Sequence, residues 1–426
     1  VIFISLRGLR VKSVETNMSV EQMGWVVQAA LQVLVPFRVL LAIALGAIAY
    51  WLLPRAWRPA GLIVISLAVV LFGYERSWLL VAGTATTCAL VYAAVKRRVN
   101  AKVIVAGLVT FYVLLHLAFG LLTFTPWLGF TGLTPEFVLP TIGLTAAFTL
   151  LRLVHFTVDY SGRDAATPLP HPRTFAAWCL FFPTFVHLPL IRYPKWAAQY
   201  ECLPAAHWRW MDTRAGALRI GQALLKGVFV AVIYIALNPQ GILLNPASAS
   251  ALQLFFAAIA SAISYYIGFS AYMDLGIGAA RLMGIALPEN FAPVLAMLRI
   301  NRMRDFWRNW NITTTQWLND YVYRPLGGHR RHPLRNVMLT MVVCGLWHSV
   351  SLWGAGWGAG LGALLLIEHG WNRMRIRRNW PEVPPAARTV LLLCGISFVN
   401  LFLTPYGYHA QFGAFLYPPR WLGIGL

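Results

Sequence analysis

The chain has 426 residues, 58% of them hydrophobic and only 12% charged, with a mean hydropathy of +0.62. Soluble domains are typically about 25% charged, so this composition excludes an ordinary soluble protein and points to an integral membrane protein. The formal charge of +21, from 35 Lys+Arg against 14 Asp+Glu, would suggest nucleic acid in a soluble chain. Here the basic residues lie between apolar runs, so membrane lipids and topology account for them and no nucleic-acid partner is expected.

Residues 1–26 read as a polar N-terminal segment and 27–426 as a single membrane domain. The chain opens on Val1, and Met18 offers an alternative start that would leave the stretch through Asn17 untranslated. No cleavable signal peptide is evident; the first strong apolar run would act as an uncleaved anchor. Apolar runs then follow at 36–53, 60–74, 78–95, 102–122, 137–158, 217–236, 250–272, 336–350, 352–371 and 386–404. Each approaches the roughly 20 residues that cross a bilayer as helix. The stretch 174–191 is apolar but broken by Pro183 and Pro189; it reads as a short span or a re-entrant element lining a cavity. The expectation is an all-α integral membrane protein of about 10–11 spans, with interfacial belts built from its 18 Trp and 16 Tyr.

Connections alternate in charge. Arg55 and Arg58, then Lys96, Arg97, Arg98 and Lys102, then Arg163 and Arg173, then Arg281 to Arg335, then Arg373 to Arg378 form basic connections. Residues 123–136 and 237–250 carry no Lys or Arg. The positive-inside rule puts the basic set in the cytoplasm and both termini outside, although Arg7, Arg10 and Lys12 argue mildly for the opposite. Residues 273–335 are too polar to span yet dense in aromatics. Phe306, Trp310 and Trp317 recur at offsets of 4 and 7, which predicts an amphipathic helix lying on the membrane or the protein. A surface helix that merely satisfies the topology rule is the plainer reading of the same residues.

His348 lies inside the apolar run NVMLTMVVCGLWHSVSLWGAGWGAG. An ionisable residue at membrane depth is costly and marks a functional site by default, against the alternative of a neutral histidine hydrogen-bonded in the bundle. No GxSxG, HExxH or paired-Cys pattern accompanies it, so serine-nucleophile and metal chemistry gain no support. The cysteines Cys88, Cys179, Cys202, Cys344 and Cys394 form no CxxC and no disulfide framework is expected. Cys344 is four residues before His348, on the same helical face. The two could carry an acyl-enzyme, or Cys344 could be packing. His329 and His332 in HRRH read as a solvated basic turn.

The stretches YIGFSAYMDLGIGAARLMGIALPENF, FWRNWNITTTQWLNDYVYRPLGGHR and CGLWHS strongly resemble the membrane-bound O-acyltransferase (MBOAT) family. The branch they are most similar to is the bacterial one that O-acetylates alginate and other extracellular polysaccharides. The resemblance is densest over 265–372 and continues upstream through FFPTFVHLPLIRY and TVDYSGR. It implies a helical bundle around a tunnel, with re-entrant or amphipathic cytoplasmic helices, in the bacterial inner membrane. It also implies that His348 is the catalytic histidine and that Asn311 holds the family's second polar site, where most polysaccharide-acetylating relatives carry histidine. Gly268, Ala271 and Met273 depart from the usual FDFSGYSD-like pattern, of which Phe269, Ser270, Tyr272 and Asp274 remain, and HLP at 187–189 replaces a common AGP. The implied donor is acetyl-CoA, with no resident cofactor or metal. The implied partners are a polysaccharide acceptor and a periplasmic SGNH-type acetyltransferase.

The chemistry can be reasoned separately. Acyl transfer from a thioester to a hydroxyl needs removal of the hydroxyl proton and stabilisation of an oxyanion. Histidine suits the first because its pKa lies near neutrality; an amide such as Asn311 can orient or donate but is no efficient base. Candidate substrate contacts are Asp320, Tyr321, Arg324, Trp307, Asp274 and Cys344. Arg324, Arg330 and Arg331 could meet coenzyme A phosphates or serve topology alone, and Asp274 and Asp320 are expected to pair with arginine. His207 and Asp212 form an HxxxxD pattern like that of glycerolipid acyltransferases, which keeps a lipid or protein O-acyltransferase with a longer chain as the alternative. A transporter with a proton-relaying His348 is the third reading, without the repeats that class often shows.

Overall fold

The computed structural model describes residues 37–73, 78–123, 135–161, 168–185, 189–237, 249–293 and 299–403, apart from a few positions between these stretches. The polar segment 1–26, the alternative start, Arg163 and His187 lie outside the described residues. Within them there is no strand.

Every one of the expected spans coincides with a helix. They are α1 (Phe37–Leu52), α2 (Arg58–Gly73), α3 (Trp78–Lys96), α4 (Ala101–Thr123), α5 (Pro135–Ser161), α9 (Trp210–Leu237), α10 (Ala251–Leu282), α13 (Pro333–His348), α14 (Leu352–Arg377) and α15 (Pro385–Leu403). Four helical segments, Arg55–Phe72, Ala101–Ala118, Trp210–Leu237 and Ala251–Leu282, are both long and apolar enough to cross a bilayer. The chain is thus an all-α, multi-pass membrane protein. The shorter elements are α6 (Pro172–Leu180), α7 (Phe182–Phe185), α8 (Tyr193–Glu201), α11 (Met303–Asn309) and α12 (Ile312–Leu318).

Local signals set several starts. Ser250 caps α10 reciprocally with Gln253, its Oγ accepting the Gln253 N–H (3.3 Å) and its own N–H donating to Gln253 Oε1 (2.8 Å). Ser351 Oγ accepts the Gly354 N–H at 3.0 Å and so restarts the chain as α14. Pro172 at the head of α6 follows His171, whose Nδ1 accepts the Arg173 N–H.

Among the described residues of 174–191 no helix is long enough to cross a bilayer. The stretch forms the nine-residue α6 and the four-residue α7, with an extended residue, Phe181, between them. Such a break frees carbonyls that lipid cannot satisfy. Arg152 of α5, 4% exposed, supplies the donors: Nη1 to Cys179 O (2.9 Å) and Nη2 to Thr184 O. The re-entrant reading fits this arrangement, in which an intramembrane arginine faces protein carbonyls.

α9 and α10 pack antiparallel. Gly216 and Gly278 oppose each other so closely that a Cβ on either would meet the other's carbonyl oxygen at 2.8 Å, the small-residue contact typical of membrane helices. Asp274 lies between Arg219 Nε (2.8 Å) and Lys226 Nζ (2.5 Å), and Asp212 meets Arg281 (3.0 Å). The expected pairing of Asp274 with arginine therefore holds, with a lysine added.

For topology, cysteines introduced at exposed positions of 299–331 are expected to react with a membrane-impermeant maleimide only after the cytoplasmic face is opened. Labelling of intact cells from outside would reverse the scheme.

Candidate active site

His348 is the last residue of α13. At 1.5 Å per residue, α13 rises roughly 22 Å from Pro333, starting from a turn in which His329, Arg330, Arg331 and His332 are exposed. Standing along the normal of a hydrocarbon layer about 30 Å thick, a helix of that rise would carry its last residue well inside. The chain then turns at Ser349–Ser351, and α14 returns alongside α13.

Glycines make this hairpin close. A Cβ at Gly345 would collide with Gly354 O, one at Gly358 with Met341 O, and one at Gly354 with Ser349 O. These obstacles are backbone atoms, which cannot step aside. The hairpin brings the α14 indole of Trp357 to the imidazole. His348 sits edge-to-face with Trp347 (centroids 4.4 Å, 60°) and with Trp357 (5.1 Å, 82°). The imidazole is half-buried, and among the described residues it makes no hydrogen bond.

Trp347 is itself anchored. Its Nε1 donates to Ala147 O on α5 (3.1 Å), and its carbonyl accepts the Tyr112 hydroxyl of α4 (2.5 Å). It belongs to an apolar cluster with Phe148, Tyr266, Phe291, Phe306, Trp310 and Trp317. The residues preceding His348 and Asn311 thus share one aromatic cluster.

The expected amphipathic helix through Phe306 and Trp317 is corrected by the structure. It breaks into α11 and α12 at Trp310 and Asn311, because Asn311 adopts a left-handed backbone (φ 44°, ψ 52°). Asparagine tolerates this region better than most residues. A π-turn, Asn319–Tyr323, follows α12. The aromatic faces turn to protein: Phe306 stacks on Trp310 at 5.4 Å, and Trp317 Nε1 donates to Leu151 O at 2.9 Å.

Asn311 stands at the start of α12, but its side chain does not cap the helix. It is 4% exposed and joined to the fully buried Asn290. Asn290 Oδ1 accepts both the N–H (2.9 Å) and the hydroxyl (2.8 Å) of Thr313, and Asn290 O accepts the Ile312 N–H (2.9 Å). The Asn290 amide is therefore oriented with Nδ2 as the donor to Asn311 Oδ1, at 3.0 Å. The Nδ2 of Asn311 is left to donate elsewhere.

The other candidates divide. Cys344 is buried beside the glycine seam and makes no hydrogen bond to His348 among the described residues. Asp274 is held by two cations in the α9–α10 seam. Asp320 pairs with Arg192 and with Arg324 (3.2 Å). Tyr321 donates to Asp159 Oδ1 at 2.9 Å. Asp159, Arg192, Asp320, Tyr321 and Arg324 thus form one partly exposed polar group. Trp307 joins Met303, Met341, Leu361 and Trp357 in a separate apolar cluster, and its buried Nε1 has no hydrogen-bond partner among the described residues. The HxxxxD pair is split between separate partners: His207 Nδ1 accepts a hydrogen bond from Arg55 Nη2 (3.0 Å), and Asp212 forms an ion pair with Arg281.

Several residues escaped the sequence reading. Asn290 lies within ALPENF, where a lone amide reads as loop. Asn400, the acceptor for Trp357 Nε1 (2.9 Å), is a polar interruption of an apolar run. Arg152 and His155, both buried in α5, are intramembrane ionisable residues that the criterion applied to His348 would have found. Glu368 of α14 accepts the Met303 N–H at 2.5 Å and so holds the head of α11.

Comparison with known proteins follows the same lines. The chain is 31% identical over 263 residues to a Pseudomonas fluorescens protein described as "probable alginate O-acetylase AlgI", covering 61% of this chain and 50% of that one. It is 30% identical over 192 residues to the peptidoglycan O-acetyltransferase of Helicobacter pylori, covering 44% and 35%. It is 25% identical over 223 residues to the teichoic acid D-alanyltransferase of Streptococcus thermophilus, covering 47% and 51%. The chain spans about half the length of the curated relatives it matches. The family model for MBOAT, the membrane-bound O-acyltransferase family, matches residues 87–408, a stretch that contains both His348 and Asn311. The chain belongs to the membrane-bound O-acyltransferase family.

Proposed function

We propose that this protein is an acyltransferase that uses His348 as general base to transfer an acetyl group from acetyl-CoA. The acceptor is a hydroxyl of an extracellular polysaccharide, reached from the bacterial inner membrane directly or through a periplasmic partner of the SGNH type. The observation that carries the reading is His348 itself. It is a half-buried imidazole with no protein hydrogen bond among the described residues, at the tip of a glycine-packed hairpin within the MBOAT match. A group placed there, with neither ring nitrogen bonded among the described residues, can accept a proton from a bound hydroxyl. The O-acetylating relatives support acetyl as the acyl group and a glycan as the acceptor.

Asn311 takes the positioning role. With Oδ1 occupied by Asn290, it presents an N–H donor, suited to an acyl carbonyl oxygen whose charge grows during attack. Arg324 and Arg192, near Tyr321 and Asp320, are the candidate contacts for the donor's phosphates.

Purified protein given acetyl-CoA and alginate oligosaccharides, with free thiol and ester both followed, tests the assignment. Ester formation on the glycan is expected, and longer acyl-CoAs with lipid acceptors form the comparison arm. Transfer confined to that arm would replace the glycan reading by the lipid one. Asn311→Ala is expected to lose less activity than His348→Ala, because one positioning hydrogen bond is worth about 2.7–4 kcal/mol at most. Asn311→His, which restores the residue commoner among polysaccharide-acetylating members, is expected to retain activity. An Asn311→Ala enzyme as inactive as the His348 variant would mean that the amide does more than position.

A further inference from the structure

A histidine base is usually oriented through its second ring nitrogen, as in the Ser-His-Asp arrangement. His348 has no such hydrogen bond among the described residues, yet proton transfer demands a defined ring plane. Among the described residues two indoles meet the ring, Trp347 at 4.4 Å and Trp357 at 5.1 Å, both edge-to-face. An indole has one polar atom, its Nε1–H, and in each of these residues that atom is engaged. Trp347 donates to Ala147 O at 3.1 Å, and Trp357 donates to Asn400 Oδ1 at 2.9 Å. Neither plane can rotate without losing a hydrogen bond in a low-dielectric interior, where an unpaired donor is costly.

The two anchors differ in kind. Ala147 offers a main-chain carbonyl that no side-chain change removes. Asn400 offers a side chain, borne on α15, a helix that packs against α14 and α10. It lies in the apolar sequence GISFVNLFL, where a carboxamide must find a partner. Trp357 reaches His348 only because Gly354 and Gly358 let α14 close onto α13.

We infer that Trp357 and Asn400 form a positioning pair for His348: the carboxamide sets the indole plane, and the indole sets the imidazole. This rests on His348 acting as the base. The competing account is that the Trp357–Asn400 hydrogen bond merely ties α14 to α15. That account predicts a change in stability without a change in the chemistry of His348.

Three variants of the full chain separate the accounts: Asn400→Leu, Asn400→Asp and Trp357→Phe. Each is purified and assayed with acetyl-CoA and alginate oligosaccharides for kcat and KM. In parallel, carbethoxylation of His348 by diethyl pyrocarbonate is followed by peptide mass spectrometry across pH. Asn400→Leu and Trp357→Phe are expected to lower kcat by about 10- to 100-fold, the scale of a small misplacement of a reacting group, with the KM for acetyl-CoA little changed. They are also expected to shift the pH profile of His348 carbethoxylation. Asn400→Asp keeps an acceptor for the indole N–H and is expected to retain most activity and the parent profile. Unchanged kcat and labelling in folded Asn400→Leu would overturn the inference while leaving the base assignment intact. So would an Asn400→Asp enzyme as impaired as Asn400→Leu. If Trp357→Phe does not fold, the two Asn400 variants decide the matter between them. A fully active His348→Ala enzyme would overturn the base assignment and this inference together.

Discussion

His348→Ala is expected to lose acyl transfer by about 10²–10⁴-fold, the usual contribution of a positioned general base, while the protein still inserts and folds. The second half of that expectation is structural. The imidazole gives up no hydrogen bond among the described residues when it is removed, because it makes none. Trp347 keeps its anchors on Ala147 and Tyr112, and Trp357 keeps Asn400. The glycine seam that builds the hairpin lies on Gly345, Gly354 and Gly358 and does not involve the imidazole. Activity and folding should therefore separate in this variant, as they would not for a buried histidine that served the bundle as a hydrogen-bonding group. Thioester loss and acyl product are measured together, beside a thermal unfolding curve. His207→Ala serves as the control and is expected to be nearly silent, since His207 is exposed and hydrogen-bonded to Arg55, whereas Asp212 pairs with Arg281. An active His348→Ala beside an inactive, folded His207→Ala would move the chemistry to the HxxxxD pair.

The same contrast explains what could be read from the sequence. The spans were legible because a bilayer sets one length scale and basic residues mark its edges; each expected run lies on a helix. His348 stood out for a related reason, as a polar group where burial is costly. Periodicity failed at Phe306–Trp317 because side-chain spacing does not report backbone hand. One left-handed residue, Asn311, turns the chain between α11 and α12, and the apolar residues meet the protein from two helices instead of one. Asn290 and Asn400 were invisible as partners because their roles depend on residues 21 and 43 positions away. Arg152 was missed although its signal was present. Its purpose, donating to the carbonyls of a broken helix, appears only once the break at Phe181 is placed beside α5.

Asp274→Ala is expected to destabilise the protein by about 3–5 kcal/mol, the range for removing one partner of a buried ion pair. The carboxylate is 3% exposed, with Arg219 and Lys226 on either side. The Arg219 contact is an ion pair at 2.8 Å without hydrogen-bond alignment, whereas Lys226 makes a hydrogen bond to Oδ2 and another to Ser270 Oγ at 2.7 Å. Arg219 retains Glu289, which is mostly exposed, after the substitution. Among the described residues Lys226 retains only the neutral Ser270 hydroxyl, so the lysine bears most of the uncompensated charge. It lies sixteen residues into α9, roughly 24 Å of helix rise from Trp210, where water is scarce. Asp274→Asn should be milder than alanine, because it keeps an acceptor for the ammonium but not its counter-charge. Removing the cation as well, in Asp274→Leu with Lys226→Met, should recover much of the loss, since apolar replacements of buried pairs are often neutral or stabilising. Unfolding of the detergent-solubilised variants by heat, followed by intrinsic Trp fluorescence, measures each step. A folded Asp274→Ala protein with parent stability and a raised KM for the acyl donor would return Asp274 to the substrate. Lower stability, restored in the double variant with KM unchanged, is the result that the α9–α10 geometry requires.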